Sequence, residues 1–173
     1  MSDKYPTDSI PRGAVRIYHQ YQMAIRILLA NHQPIIRSEL RFLLEREVDF
    51  DIVAEAADGK EAMILAEYKR PSVALLEIQL PQMNGIALAK ELLSKEHSPK
   101  VIFVSSLIDV GYVMQAFRAG ARGYVDSDSA ATDLGSAIRA IAADRLFVSP
   151  IICDKFAAES KHLPACDGNV LIP

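Results

Sequence analysis

The 173 residues suit one domain with some excess at its ends, and half of them are hydrophobic against 24% charged, as in a globular chain with a real core. The net charge of −3 argues against a nucleic-acid surface, which needs clustered Lys and Arg. Two cysteines, Cys153 and Cys166, give neither a disulfide framework nor metal-ligand spacing; with no apolar run long enough for a membrane and no secretory leader, a cytoplasmic protein is expected.

Residues 1–24 carry Pro6, Pro11 and Gly13 among polar residues with no sustained period. They read as an N-terminal extension, either loose or a docking arm anchored by Tyr5, Tyr18 and Tyr21. From Ile25 the pattern changes. Ile25-Arg26-Ile27-Leu28-Leu29 is the short apolar run of a buried parallel strand, and Pro34 opens a helical face of Ile35, Ile36, Leu40, Leu43 and Leu44. Ile52-Val53-Ala54 predicts a second strand. Asp58-Gly59-Lys60-Glu61 has the form of a capping box before a helix with Ala62, Leu65 and Ala66. Val73-Ala74-Leu75-Leu76 is the third strand, and Pro81-Gln82-Met83-Asn84-Gly85 leads into a helix with Ile86, Ala89, Leu92 and Leu93. Val101-Ile102-Phe103-Val104 is followed by a helix with Val110, Val113, Met114 and Phe117, which Gly120 would cap. Gly123-Tyr124-Val125 is a brief fifth strand, and Leu134, Ala137, Ile138 and Ile141 mark the closing helix.

Five strand–helix repeats with short connections predict a single α/β domain, a doubly wound five-stranded parallel sheet of flavodoxin-like topology, over residues 25–145. Residues 146–173 read as a linker and tail without an output domain. Ligands of such sheets sit beyond the carboxyl ends of the strands. Those ends offer Asn31 and His32 after strand one, Glu77 after strand three, Ser105 at strand four and Ser127 after strand five.

At these positions the chain resembles a known family. Glu77-Ile78-Gln79-Leu80-Pro81-Gln82-Met83-Asn84-Gly85 is similar to the loop of bacterial response-regulator receivers, where an acceptor Asp is followed by Pro four residues on and Gly eight residues on. Ala30-Asn31-His32-Gln33-Pro34 resembles the Ala-Asp-Asp-His-Pro opening of the helix-turn-helix (LuxR/NarL-type) subfamily. Glu55-Ala56-Ala57-Asp58-Gly59, Ala119-Gly120-Ala121-Arg122-Gly123-Tyr124 and Leu146-Phe147-Val148-Ser149-Pro150 agree with it too. The resemblance implies an acidic pair that holds Mg²⁺ with the acceptor Asp, a Ser or Thr that contacts the phosphoryl group, and a Lys that pairs with it. In this chain the acidic pair is Asn31 and His32, the acceptor position is Glu77, the Lys position is Ser127, and Ser105 and the switch aromatic Tyr124 match the family.

These departures compound. Mg²⁺ prefers hard oxygen ligands, and without the metal or the Lys a transferring phosphoryl group has no neutralising partner. The expected protein is therefore a pseudo-receiver, not an enzyme, with no cofactor, no Mg²⁺ and no other metal. It would act by protein contacts through the face of helix four, strand five and helix five. A sensor kinase or another regulator would be its partner, and a homodimer stays open. The alternatives are a phosphorelay receiver that uses Glu77 as acceptor, or the receiver part of a DNA-binding transcription regulator. A small-ligand sensor finds no Gly-rich phosphate loop to support it. Glu77 reads either as an imitation of phospho-aspartate reaching Ser105 or as an idle residue beside His32. His32 reads as a water-exposed loop residue before a partner of Glu77, Tyr124 as statically packed before a moving switch, and Arg118, Arg122 and Arg139 as solvated charges.

Overall fold

The computed structural model describes residues 24–159, so the readings placed on Tyr5, Tyr18, Tyr21 and Cys166 lie outside the described residues. Strands β1 (Ile25–Ala30), β2 (Phe50–Ala56), β3 (Val73–Leu76), β4 (Lys100–Ser105) and β5 (Gly123–Asp126) alternate with helices α1 (Pro34–Glu45), α2 (Gly59–Lys69), α3 (Gly85–Leu93), α4 (Val110–Arg118) and α5 (Ala130–Ala142). A short strand β6 (Phe147–Val148) and helix α6 (Pro150–Glu159) follow. Every pairing is parallel, in the order β2-β1-β3-β4-β5-β6.

The central strands read as continuous apolar runs because helices cover both faces. Within each strand the side chains still divide by alternation. Ile27, Leu29, Val73, Leu75, Ile102, Val104 and Val125 form one core with Leu134, Ile138 and Ile141 of α5 and Leu40 and Leu44 of α1. Leu28, Ala74, Leu76, Val101, Phe103 and Tyr124 form the other, with Ala62 of α2, Leu88 and Leu92 of α3 and Val113 of α4. A one-residue slip of any strand would exchange the two sets.

The helix signals act as their chemistry requires. Pro34 opens α1, where its missing N–H costs nothing. Asp58 caps α2 by accepting from the amides of Lys60 and Glu61, both at 2.9 Å, while the Glu61 carboxylate reaches back to the amide of Ala57 at 2.8 Å. Gly120, with φ of 99°, turns the chain out of α4. Arg139 is not a simply solvated charge. It forks onto Asp49 at 2.7 and 2.8 Å, reaches Glu47 at 2.6 Å and lies over the Phe50 ring, pinning α5 to the turn before β2.

The sheet corrects the expectation in one respect: it has six strands rather than five. β6 pairs Phe147 with Gly123 and Val148 with Tyr124, so β5 is not an edge. Two residues are too short to show a period, which is why the alternation missed them. The folded part also continues past Arg145. Ile152 is wholly buried and Phe156 nearly so, both in the core that holds Tyr124, and Lys155 pairs with Asp109 at 3.2 Å before α4. Residues 147–159 thus pack on the domain as its last layer. Replacing Ile152 by Ala is expected to lower the unfolding free energy by about 2–4 kcal/mol in urea titrations. A loss below about 0.5 kcal/mol, the range of surface substitutions, would show that α6 is only a linker.

Candidate functional site

The site lies at the carboxyl ends of β1, β3, β4 and β5. Since β1 stands between β2 and β3, the connections leaving β1 and β3 diverge to opposite faces, and a crevice opens between them. The loop after β3 forms its floor. Its path is held by two glycines that have no room for a side chain. A Cβ on Gly85 would stand 2.1 Å from the carbonyl oxygen of Glu77, and one on Gly59 2.0 Å from that of Met83. The amide of Gly85 donates to Ile78 O at 2.8 Å and that of Gly59 to Pro81 O at 3.1 Å. Gln82 takes a left-handed backbone (φ 62°), and its side-chain amide donates to Asp58. Asn84 then caps α3 by accepting from Ala87 N at 2.9 Å.

Glu77 leaves β3 buried, only 8% exposed. One carboxylate oxygen, Oε1, accepts from the amide of Ile78 at 2.6 Å, the amide of Gln79 at 3.3 Å and the hydroxyl of Ser105 at 2.6 Å. Ser105, wholly buried at the end of β4, also accepts from the amide of Leu107 at 3.3 Å. Leu107 in turn offers its carbonyl to the hydroxyl of Tyr124. A continuous relay thus runs from the carboxylate through the β4–α4 loop to the Tyr124 ring, which is fully buried and lies 6.1 Å from Phe103. Burial, more than any neighbour, pushes the Tyr124 phenol well above its ordinary range, and the charge of Glu77 adds to the effect.

The other expected positions gather around this relay without joining it. Asn31 is buried, and its side-chain oxygen accepts from the amide of Gln33 at 2.8 Å, while its carbonyl accepts from Arg37 at 2.6 Å. His32 is half-buried, and its Nδ1 is shut away from solvent with no hydrogen-bond partner, so the reading of a water-exposed residue holds for only part of the ring. Among the described residues no ion pair joins His32 to Glu77. Ser127 opens a 3-10 turn, Ser127–Ser129, and makes no hydrogen bond to Glu77. No group of three or more His, Cys, Asp or Glu side chains stands in metal-binding proximity among the described residues.

Sequence reasoning missed a second polar cluster. Asp126 is buried at the end of β5, and its carboxylate accepts from Ser129 Oγ and from the amide of Asp128. Its own amide donates to Ser149 Oγ at 3.2 Å, and that hydroxyl donates to Asp133. This cluster staples β6 to β5 and α5. Asp126-Ser127-Asp128-Ser129 before a helical face carried the signal, since such runs mark helix starts.

With the geometry in place, comparison with known proteins settles the class. Residues 27–139 match the family model described as response regulator receiver domain. The chain belongs to that family. It is 32% identical over 136 residues to the transcriptional regulatory protein YxjL of Bacillus subtilis, covering 79% of this chain and 62% of that protein. The chain thus spans about three fifths of that relative's length. Among solved structures it is similar to a LuxR-family two-component response regulator from Aurantimonas sp. (TM-score 0.74, 33% identity, 79% of this chain and 97% of that one). It also resembles the signal receiver domain of NarL from Mycobacterium tuberculosis (TM-score 0.68, 30% identity, 70% and 98%). Among the described residues no helix is long and apolar enough to cross a membrane.

The raised Tyr124 pKa makes a prediction about alkaline stability. The folded phenol holds its proton above the unfolded value of about 10, so its contribution is complete below that pH and is lost as pH rises above it. Unfolding free energy should fall with pH in that alkaline window, and Tyr124→Phe should flatten the fall. An identical slope in both proteins would place the ionisation elsewhere.

Proposed function

We propose that this receiver is a signalling module that acts through protein contacts, and that Glu77 holds it in one conformation without a phosphoryl group. The observation that carries the reading is the 2.6 Å hydrogen bond from Ser105 to the buried Glu77 carboxylate, continued through Leu107 to the inward Tyr124. In the family a phosphoryl group on the acceptor Asp recruits this hydroxyl. A glutamate reaches one methylene further and presents its carboxylate oxygens at the same strand end. It lacks the three oxygens of a phosphate, so it can replace the contact to Ser105 but not every contact a phosphoryl group makes.

The donor set does not fit Mg²⁺. Asn31 turns its side-chain oxygen to its own loop, His32 brings nitrogen where the ion prefers oxygen, and Oε1 of Glu77 already accepts three hydrogen bonds. At the Lys position, Ser127 brings no charge to the transferring group. The relatives are named as regulators of transcription, which supports a place in transcription control. A sensor kinase or a second regulator is the kind of partner the receiver family meets. The expected contact face needs revision, because β6 and α6 pack on the side of β5 that was to be free.

The test is intact mass after incubation with acetyl phosphate and Mg²⁺. No phosphate-sized gain is expected on the native chain. A gain that disappears in Glu77→Gln would instead establish Glu77 as the acceptor of a working phosphorelay.

A further inference from the structure

Helix α1 leaves apolar side chains exposed, with the Arg46 guanidinium 5.7 Å from the centre of the Phe42 ring. Ile35 and Phe42, seven residues apart on one face of the helix, are 73% and 61% exposed. Beside them a groove of about 630 Å³ is lined by Pro34, Ile35, Glu39, Phe42, Leu43 and Ala131, running between α1 and the start of α5. Val48, three residues past the end of α1, is a further exposed apolar side chain, at 79%.

The turn that carries Val48 lies beside the start of β1. The amide of Ile25 donates to the carbonyl of Asp49, the residue after Val48, at 2.8 Å. Ala24, the first described residue, therefore stands near the turn that carries Val48, with 23 residues of the chain before it. The length of α1, twelve residues, is roughly 18 Å. An extended chain covers that with about six residues. Residues 14–23, Ala14-Val15-Arg16-Ile17-Tyr18-His19-Gln20-Tyr21-Gln22-Met23, supply apolar and aromatic side chains over that reach, and their only charge is the positive Arg16. Glu39, on the groove wall, makes no ion pair with any described residue. Charge and polarity thus match between segment and groove.

We propose that the segment 14–23 of the same chain docks into the α1–α5 groove, with Tyr18 and Tyr21 covering Phe42 and Val48 and Arg16 facing Glu39. Tethering favours this occupant, because a short linker holds the segment at a local concentration of about millimolar. The proposal does not depend on the reading of Glu77.

The chain contains no tryptophan, so one can be placed as a reporter. Phe42→Trp changes an exposed position and leaves the core untouched, and Ile35→Trp repeats the measurement nearby. In the full chain, acrylamide quenching of the reporter should be weak. It should rise about threefold or more when Val15→Ser, Tyr18→Ser and Tyr21→Ser are added, at every protein concentration, as expected for an intramolecular contact. Equal quenching with and without those three changes overturns the proposal. Shielding that grows with protein concentration and survives the three changes overturns it too, and assigns the groove to a second copy.

Discussion

A carboxylate buried at the end of a central strand must be surrounded by donors, and that requirement organises this receiver. An unpaired buried charge costs several kcal/mol, whereas each hydrogen bond to a charged group returns about 1.5–3 kcal/mol. No cation pairs with Glu77 among the described residues, so its donors are two backbone amides and one hydroxyl. The amides can point at Oε1 only if the chain turns sharply after β3, and that turn in turn requires the bare backbone of Gly85 against Glu77 O. The hydroxyl comes from Ser105, two residues beyond Phe103, which pairs with Leu76 in the parallel register. Removing the Ser105 hydroxyl, or placing a side chain on Gly85, leaves the charge short of a donor.

The same requirement reaches the far side of the sheet through Tyr124. Its ring belongs to the core shared with Phe103, Val113, Ile152 and Phe156, while its hydroxyl is fastened to Leu107. Leu107 is the second residue beyond Ser105, so the carboxylate and the ring fix the same short loop from its two sides. Lys155 adds a third hold through Asp109. That ion pair is exposed and contributes little by itself. Burial of Ile152 and Phe156 is the larger effect, and it makes the α4–β5 side of the sheet a packed interior instead of a vacant surface.

Much of this was legible in residue order. Pro34, Asp58 and Gly120 each carry a local chemistry that predicts a helix boundary regardless of tertiary context, and each stands at one. The apolar runs of β1, β3 and β4 were visible because they must be buried on both faces. Glu77 and Ser105 could be placed in one crevice by topology alone, and the structure brings them into contact. What escaped was of two kinds. Phe147-Val148 is too short for any period, although Ser149-Pro150 after it has the form of a helix start. Asp126 and the orientation of His32 depend on which groups the tertiary fold brings near, and no spacing in the sequence encodes that.

The groove on α1 is not remote from the carboxylate in the chain. Its first residues, Pro34 and Ile35, directly follow the loop in which Asn31 binds the Gln33 amide and Arg37 binds the Asn31 carbonyl. Asn31 itself continues β1, whose Ala30 carbonyl accepts from the amide of Glu77 at 2.9 Å. Whatever covers Ile35 thus presses on a helix start that is one hydrogen-bonded step from the acceptor position. On the proposed reading of Glu77, a signal enters this receiver by a contact that competes with the hydrogen bonds of that carboxylate. The β1–α1 loop is a place where such a contact reaches the buried carboxylate through one backbone hydrogen bond, from the amide of Glu77 to the carbonyl of Ala30.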